Sequence, residues 1–283
     1  MVDYPRHTRS GQRGFTLIEL SIVLVIIGLI VGGVLVGQDL IRAAEIRATV
    51  GQIEKYNASV NTFRSKYDSI PGDMLTTNAA AFGFFTDTTT GIGHGDGNSI
   101  IEGGSSGGLV ALGETIEFWR HLTDANLIDG SFGTSGNGGL GATSGTGAVA
   151  SAVTNIAQSV PPAKLGRNNY VIVYSLNGIN YYQIGSFSGF ATSGVYTAGA
   201  YAMTPIESYN IDAKIDDGMP NTGLVQANLT NAANVTPNTP ASVAASSTAS
   251  TCTIGTGIAT DTYNRVTGTG GTDPSCSLRI RFN

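Results

Sequence analysis

From Phe15 to Val36 the chain is almost unbroken in its apolarity, FTLIELSIVLVIIGLIVGGVLV, with Glu19 the one charge in 22 residues. At about 1.5 Å per residue a helix of that length reaches roughly 33 Å, enough to cross a hydrocarbon core about 30 Å thick. Beyond it the pattern becomes one-sided: Ile46, Val50, Ile53, Tyr56, Val60, Phe63 and Tyr67 recur at steps of three and four, a single apolar stripe on a polar helix. The pattern predicts one helix from Phe15 to Tyr67, with Pro71-Gly72 as its stop.

Further on the signals are shorter. Glu114 to Leu127 reads as an amphipathic helix with Ile116, Phe118, Trp119 and Leu122 inward, and Pro205 to Ile215 as a helix started by Thr204-Pro205. Between them lie two β-rich runs, Tyr170 to Leu176 and Ile179 to Ile184, separated by Asn177-Gly178, the dipeptide of a type I′ hairpin. Cys276 to Phe282 alternates apolar and polar positions and predicts a strand beside that hairpin. The stretches 130–162 and 218–260 are charge-free in their interiors and rich in Gly, Ser, Thr, Ala and Asn, which marks them as long loops. The fold class is α+β: a long N-terminal helix on a small antiparallel-sheet domain.

Composition narrows the functional classes. Only 12% of the 283 residues are charged and 39 are glycine, without a collagen period, while 41% hydrophobic residues with 10 Phe and 11 Tyr suffice for a core. The net charge of −5 speaks against a broadly basic nucleic-acid binder. The first 14 residues carry Arg6, Arg9 and Arg13 against Asp3, a basic flank that favours the cytoplasmic side of a membrane. An ordinary secretory signal is cut after its apolar region, whereas here the small residue at the polar/apolar junction, Gly14, precedes it.

Arg13-Gly14 followed by Phe15-Thr16-Leu17-Ile18-Glu19-Leu20 resembles the prepilin signal of type IV pilins and type II secretion pseudopilins. The resemblance implies cleavage between Gly14 and Phe15 by a prepilin peptidase, N-methylation of Phe15, and assembly with other pilin or pseudopilin subunits on an inner-membrane platform. It also implies a ladle-like domain plan: a leader at 1–14, a transmembrane and filament-core helix half at 15–37, an amphipathic half at 38–70 and a globular domain at 71–283. That domain would lie on the periplasmic or extracellular side of the inner membrane. A carboxylate within a membrane helix costs a few kcal/mol unless paired, so Glu19 needs a partner. The amine of Phe15, of this chain or its neighbour, is the family's answer. No proline interrupts the apolar half, where Gly28, Gly32, Gly33 and Gly37 offer either local melting or close helix packing. A membrane-tethered binding module, with the N-terminus a plain anchor, is the competing class.

The candidate chemistry is sparse. Gly136 to Gly141 fits GxGxxG and Gly104 to Gly108 fits GxSxG, but neither has the strand-to-helix context its mechanism needs. With His7, His94 and His121 the only histidines, no enzyme and no resident cofactor are expected. Gly93 to Ser99 places Asp96 and Asn98 on a glycine-rich turn, followed by Glu102 and Glu114, oxygen ligands that a hard cation such as Ca²⁺ accepts. Asp212 to Gly218 reads as a helix C-terminus and turn. Cys252 and Cys276 are too few for a disulfide scaffold and leave one clip or two free thiols. The oxidising compartment and the family's habit of clipping a C-terminal loop together predict a disulfide between them.

Overall fold

A computed structural model describes residues 15–84, 95–101, 113–132, 156–190, 196–198, 203–228, 252–254, 261–265 and 273–282. The leader with Gly14, His94, Glu102 and both glycine motifs lie outside these residues. The chain divides into two units, one through Ala44 and one from Glu45 onward.

Helix α1 spans Leu17–Tyr67. In the first unit it is bare: no residue of its apolar window is buried, and among the described residues it is the one helix long and apolar enough to cross a membrane. In the second unit the predicted stripe is the buried face, with Ile46, Val50, Ile53, Tyr56, Val60 and Phe63 all in the core and Tyr67 packed against it. The helix ends at Tyr67, the boundary the pattern predicts. Asp68 takes a left-handed conformation (φ 52°) directly after Tyr67, as C-terminal cap residues do, and the proline only prevents resumption.

Two further helices flank that face. Helix α2, Thr76–Phe82, has no counterpart in the sequence reading and ends on a left-handed Gly83 whose N–H bonds back to Ala80. Helix α3, Glu114–Asp124, buries Ile116, Phe118, Trp119 and Leu122 as its pattern predicts. It docks on the end of α1 through Gly72, whose N–H donates to His121 Nδ1 at 2.9 Å. A methyl on Gly72, already at φ 88°, would stand 2.5 Å from the Glu114 carbonyl, so only glycine allows this approach.

The sheet is antiparallel throughout, in the order β1-β2-β7-β4, with β3 pairing on β2. Strands β1 (Asn169–Leu176) and β2 (Ile179–Phe190) form the hairpin, and Asn177 and Gly178 turn at φ 52° and 75°, the values a type I′ turn demands. Strand β3 is Tyr196–Ala198, β4 Val225–Asn228, β5 Thr253–Ile254, β6 Thr262–Tyr263 and β7 Ser277–Phe282. The register aligns Val173, Tyr182, Ile280 and Val225 across the four main strands. The Tyr182 ring on that face meets Tyr56 of α1 and Phe118 and Trp119 of α3. Each such buried ring contributes about 1.5–3 kcal/mol, which is what fastens α1 and α3 to the sheet. Helix α4, Pro205–Ile215, starts as predicted. Thr204 Oγ1 accepts from Glu207 N while Glu207 Oε2 accepts from Thr204 N, and Arg167 forks onto the same carboxylate.

Candidate functional site

The start of α1 concentrates the chemistry. Thr16 precedes the first helical residue and acts as its cap: its hydroxyl accepts from Glu19 N at 3.3 Å. In return Glu19 Oε2 accepts from Thr16 N and from Thr16 Oγ1, both at 2.8 Å. This reciprocal capping box satisfies helix-end amides that have no intrahelical partner. It also places a negative charge at the positive end of the helix dipole. While Phe15 remains joined to Gly14 its nitrogen is an amide, so the carboxylate draws its donors from Thr16. An α-amine at Phe15 comes into being only on cleavage. Reading the sequence alone identified Glu19 and its need for a partner but missed Thr16, although a Thr three residues before a Glu at an apolar boundary is the capping-box signature.

Cys252 and Cys276 form a disulfide with their Cα atoms 5.0 Å apart, and among the described residues no cysteine is free. Both are buried. Cys252 leads into the β5-β6 ladder and Cys276 into β7, so the clip ties that small ladder to the main sheet.

The loop expected to hold a cation is organised differently from its sequence reading. Asp96 Oδ1 accepts from Asn98 N at 3.0 Å and Asn98 Oδ1 from Ile100 N at 2.7 Å, two successive Asx turns. The centre of the loop is Asp73, a residue the sequence reading passed over. Its buried carboxylate accepts from Gly97 N at 2.7 Å and Ser99 N at 2.5 Å. Burial pushes the Asp73 carboxyl above its usual range, the amides of Gly97 and Ser99 pull it back, and the charge of Asp96 raises it again. Carboxylate oxygens of Asp73, Asp96 and Glu114 lie within 4.8 Å of one another. Asn98 has its side-chain oxygen engaged in its turn.

At the end of α4 the second acidic loop is the helix end and turn its sequence suggests. Asp216 Oδ2 accepts from Leu224 N and Val225 N, and Asp217 from Met219 N and Thr222 Oγ1. Asp212 is buried and accepts from Tyr263 Oη at 2.8 Å and Gly218 N at 3.0 Å. No curated protein and no solved structure matches the chain. Residues 9–35 do match the family model of the prokaryotic N-terminal methylation motif, so the chain carries, over its capped apolar helix start, the signature of type IV pilins and pseudopilins.

Proposed function

We propose that the chain is a structural subunit of a type IV pilus or a type II secretion pseudopilus. A prepilin peptidase cuts between Gly14 and Phe15, and Phe15 is N-methylated. The helix start is then held in the inner membrane, with residues 1–14 cytoplasmic before cleavage and the domain from 71 onward periplasmic or extracellular. The single observation that carries this reading is the methylation motif at 9–35 lying on a helix whose apolar half is entirely exposed in the subunit. An apolar surface of that size must be covered by lipid or by other helices of its kind. No catalytic role is assigned.

N-terminal mass spectrometry of the membrane-purified protein tests it. The mature chain is expected to begin at N-methylated Phe15, and retention of Met1 would overturn the reading in favour of a membrane-tethered binding module. Glu19→Val supplies the second arm. The variant should insert stably, since the helix becomes more apolar, and should fail to assemble, since the acid that faces a processed Phe15 amine is gone.

A further inference from the structure

Among the described residues His121 is the one histidine, and none of it reaches solvent. Its Nδ1 accepts the N–H of Gly72 at 2.9 Å. A ring nitrogen accepts only while it carries no proton, whereas an imidazolium donates from both nitrogens. Phe63 of α1 lies parallel to the ring, 4° between planes and 5.9 Å between centroids, and Phe84 packs on it at 5.3 Å. These neighbours fix the plane of the imidazole. A proton added at Nδ1 therefore sets two N–H groups against each other where one hydrogen bond stood.

The backbone leaves little room to relieve that opposition. Gly72 is so close to α3 that a Cβ on it would lie 2.5 Å from the Glu114 carbonyl and 3.1 Å from Phe118 N. The segment has to back away from α3 if its N–H meets a donor instead of an acceptor.

The charged and titratable groups around the ring divide by element. On α3 itself Glu117, buried and one turn earlier, brings Oε2 to 3.8 Å from His121 Nε2. In the segment that leaves α1, Gly72 is followed by Asp73, whose carboxylate is turned to the amides of Gly97 and Ser99. Helix α1 presents the Phe63 ring with Tyr67 behind it at 4.6 Å, and Phe84, beyond α2, brings no charge. The two ring nitrogens thus look to different elements: Nδ1 ties α3 to the end of α1, and Nε2 faces an acid of its own helix.

We propose that His121 is a proton-operated clasp. With the ring neutral it holds Gly72, and with it the segment that leaves α1, against α3; with the ring charged it gives Gly72 up and pairs with Glu117 inside its own helix. The device belongs to the fold of the second unit and does not depend on how subunits assemble.

Hydrogen-exchange mass spectrometry of the full chain in detergent tests it at about pH 8 and about pH 5, the interval over which imidazole gains its charge. After correction for intrinsic exchange rates, peptides covering 69–75 should lose about tenfold protection on acidification, as expected for one broken hydrogen bond. Acid also reaches Asp73 and Asp212, carboxyls that burial raises, and His121→Asn sets their effect apart. The Asn oxygen can accept from Gly72 N and takes up no proton in this range, so protection over 69–75 should be the same at both pH values. Glu117→Gln keeps the shape of the site but withdraws the partner of the charged ring, so release should move to more acid pH. Unchanged wild-type protection between the two pH values, an equal loss in His121→Asn, or release at an unshifted pH in Glu117→Gln would each overturn the clasp.

Discussion

Replacing Asp212 by Asn should make the protein more stable above neutral pH and flatten its pH dependence. Burial pushes the Asp212 carboxyl up from 3.8 to about 7, against the pull of the Tyr263 and Gly218 hydrogen bonds and with a further push from Asp217 and Asp216. A carboxyl raised in the folded state holds its proton more tightly there than in the unfolded chain. Its contribution is therefore fully present below about pH 4 and is lost as pH rises to about 7. Three units correspond to about 4 kcal/mol at most, and screening at a site beside exposed Asp217 reduces this to about 2 kcal/mol. The substituted amide would keep both contacts: its oxygen accepts from Gly218 N and its nitrogen donates to Tyr263 Oη. Urea unfolding of the full chain in detergent at pH 5 and pH 8 measures the effect. The wild type should lose stability between the two, and the Asp212→Asn variant should lose about 2 kcal/mol less and melt several degrees higher at pH 8. Parallel pH dependences of the two proteins would refute the reasoning.

Gly72→Ala should cost about 3 kcal/mol, from left-handed strain plus the clash with the Glu114 carbonyl, read as a lowered urea midpoint with unchanged slope. Reducing the Cys252–Cys276 disulfide, or replacing both residues by Ser, should cost about 3 kcal/mol for a loop of this length, checked by melting with and without reductant. We propose that Asp73, Asp96 and Glu114 together hold calcium. At a hundredfold excess over its dissociation constant the ion would add about 2.7 kcal/mol. Melting should then rise with calcium over chelator and lose that rise in Asp73→Asn, whereas equal melting in both buffers returns the loop to self-closed turns.

What could be read from the residues followed the range of their interactions. The buried stripe from Ile46 to Tyr67, the Asn177-Gly178 turn and the Thr204-Pro205 start depend on neighbours within a few residues, and each stands where its pattern puts it. Helix α2 was invisible because seven residues carry little periodicity. Asp73 was invisible for a different reason: the amides that define its role belong to Gly97 and Ser99, more than twenty residues away. The pairing of the four-residue β4 with β7 likewise follows from the assembled sheet and not from any local signal.

The position of Trp119 has an optical consequence. It is the chain's one tryptophan, fully buried, with its ring edge-on to Tyr56 of α1 at 4.9 Å and to Phe118 at 5.0 Å. Any event that lifts this stretch of α1 from the domain, whether unfolding or a rearrangement on joining a polymer, lets water reach the indole and shifts its emission to the red. No label is needed and no second tryptophan confuses the signal, so the native protein carries its own fluorescent gauge of helix docking.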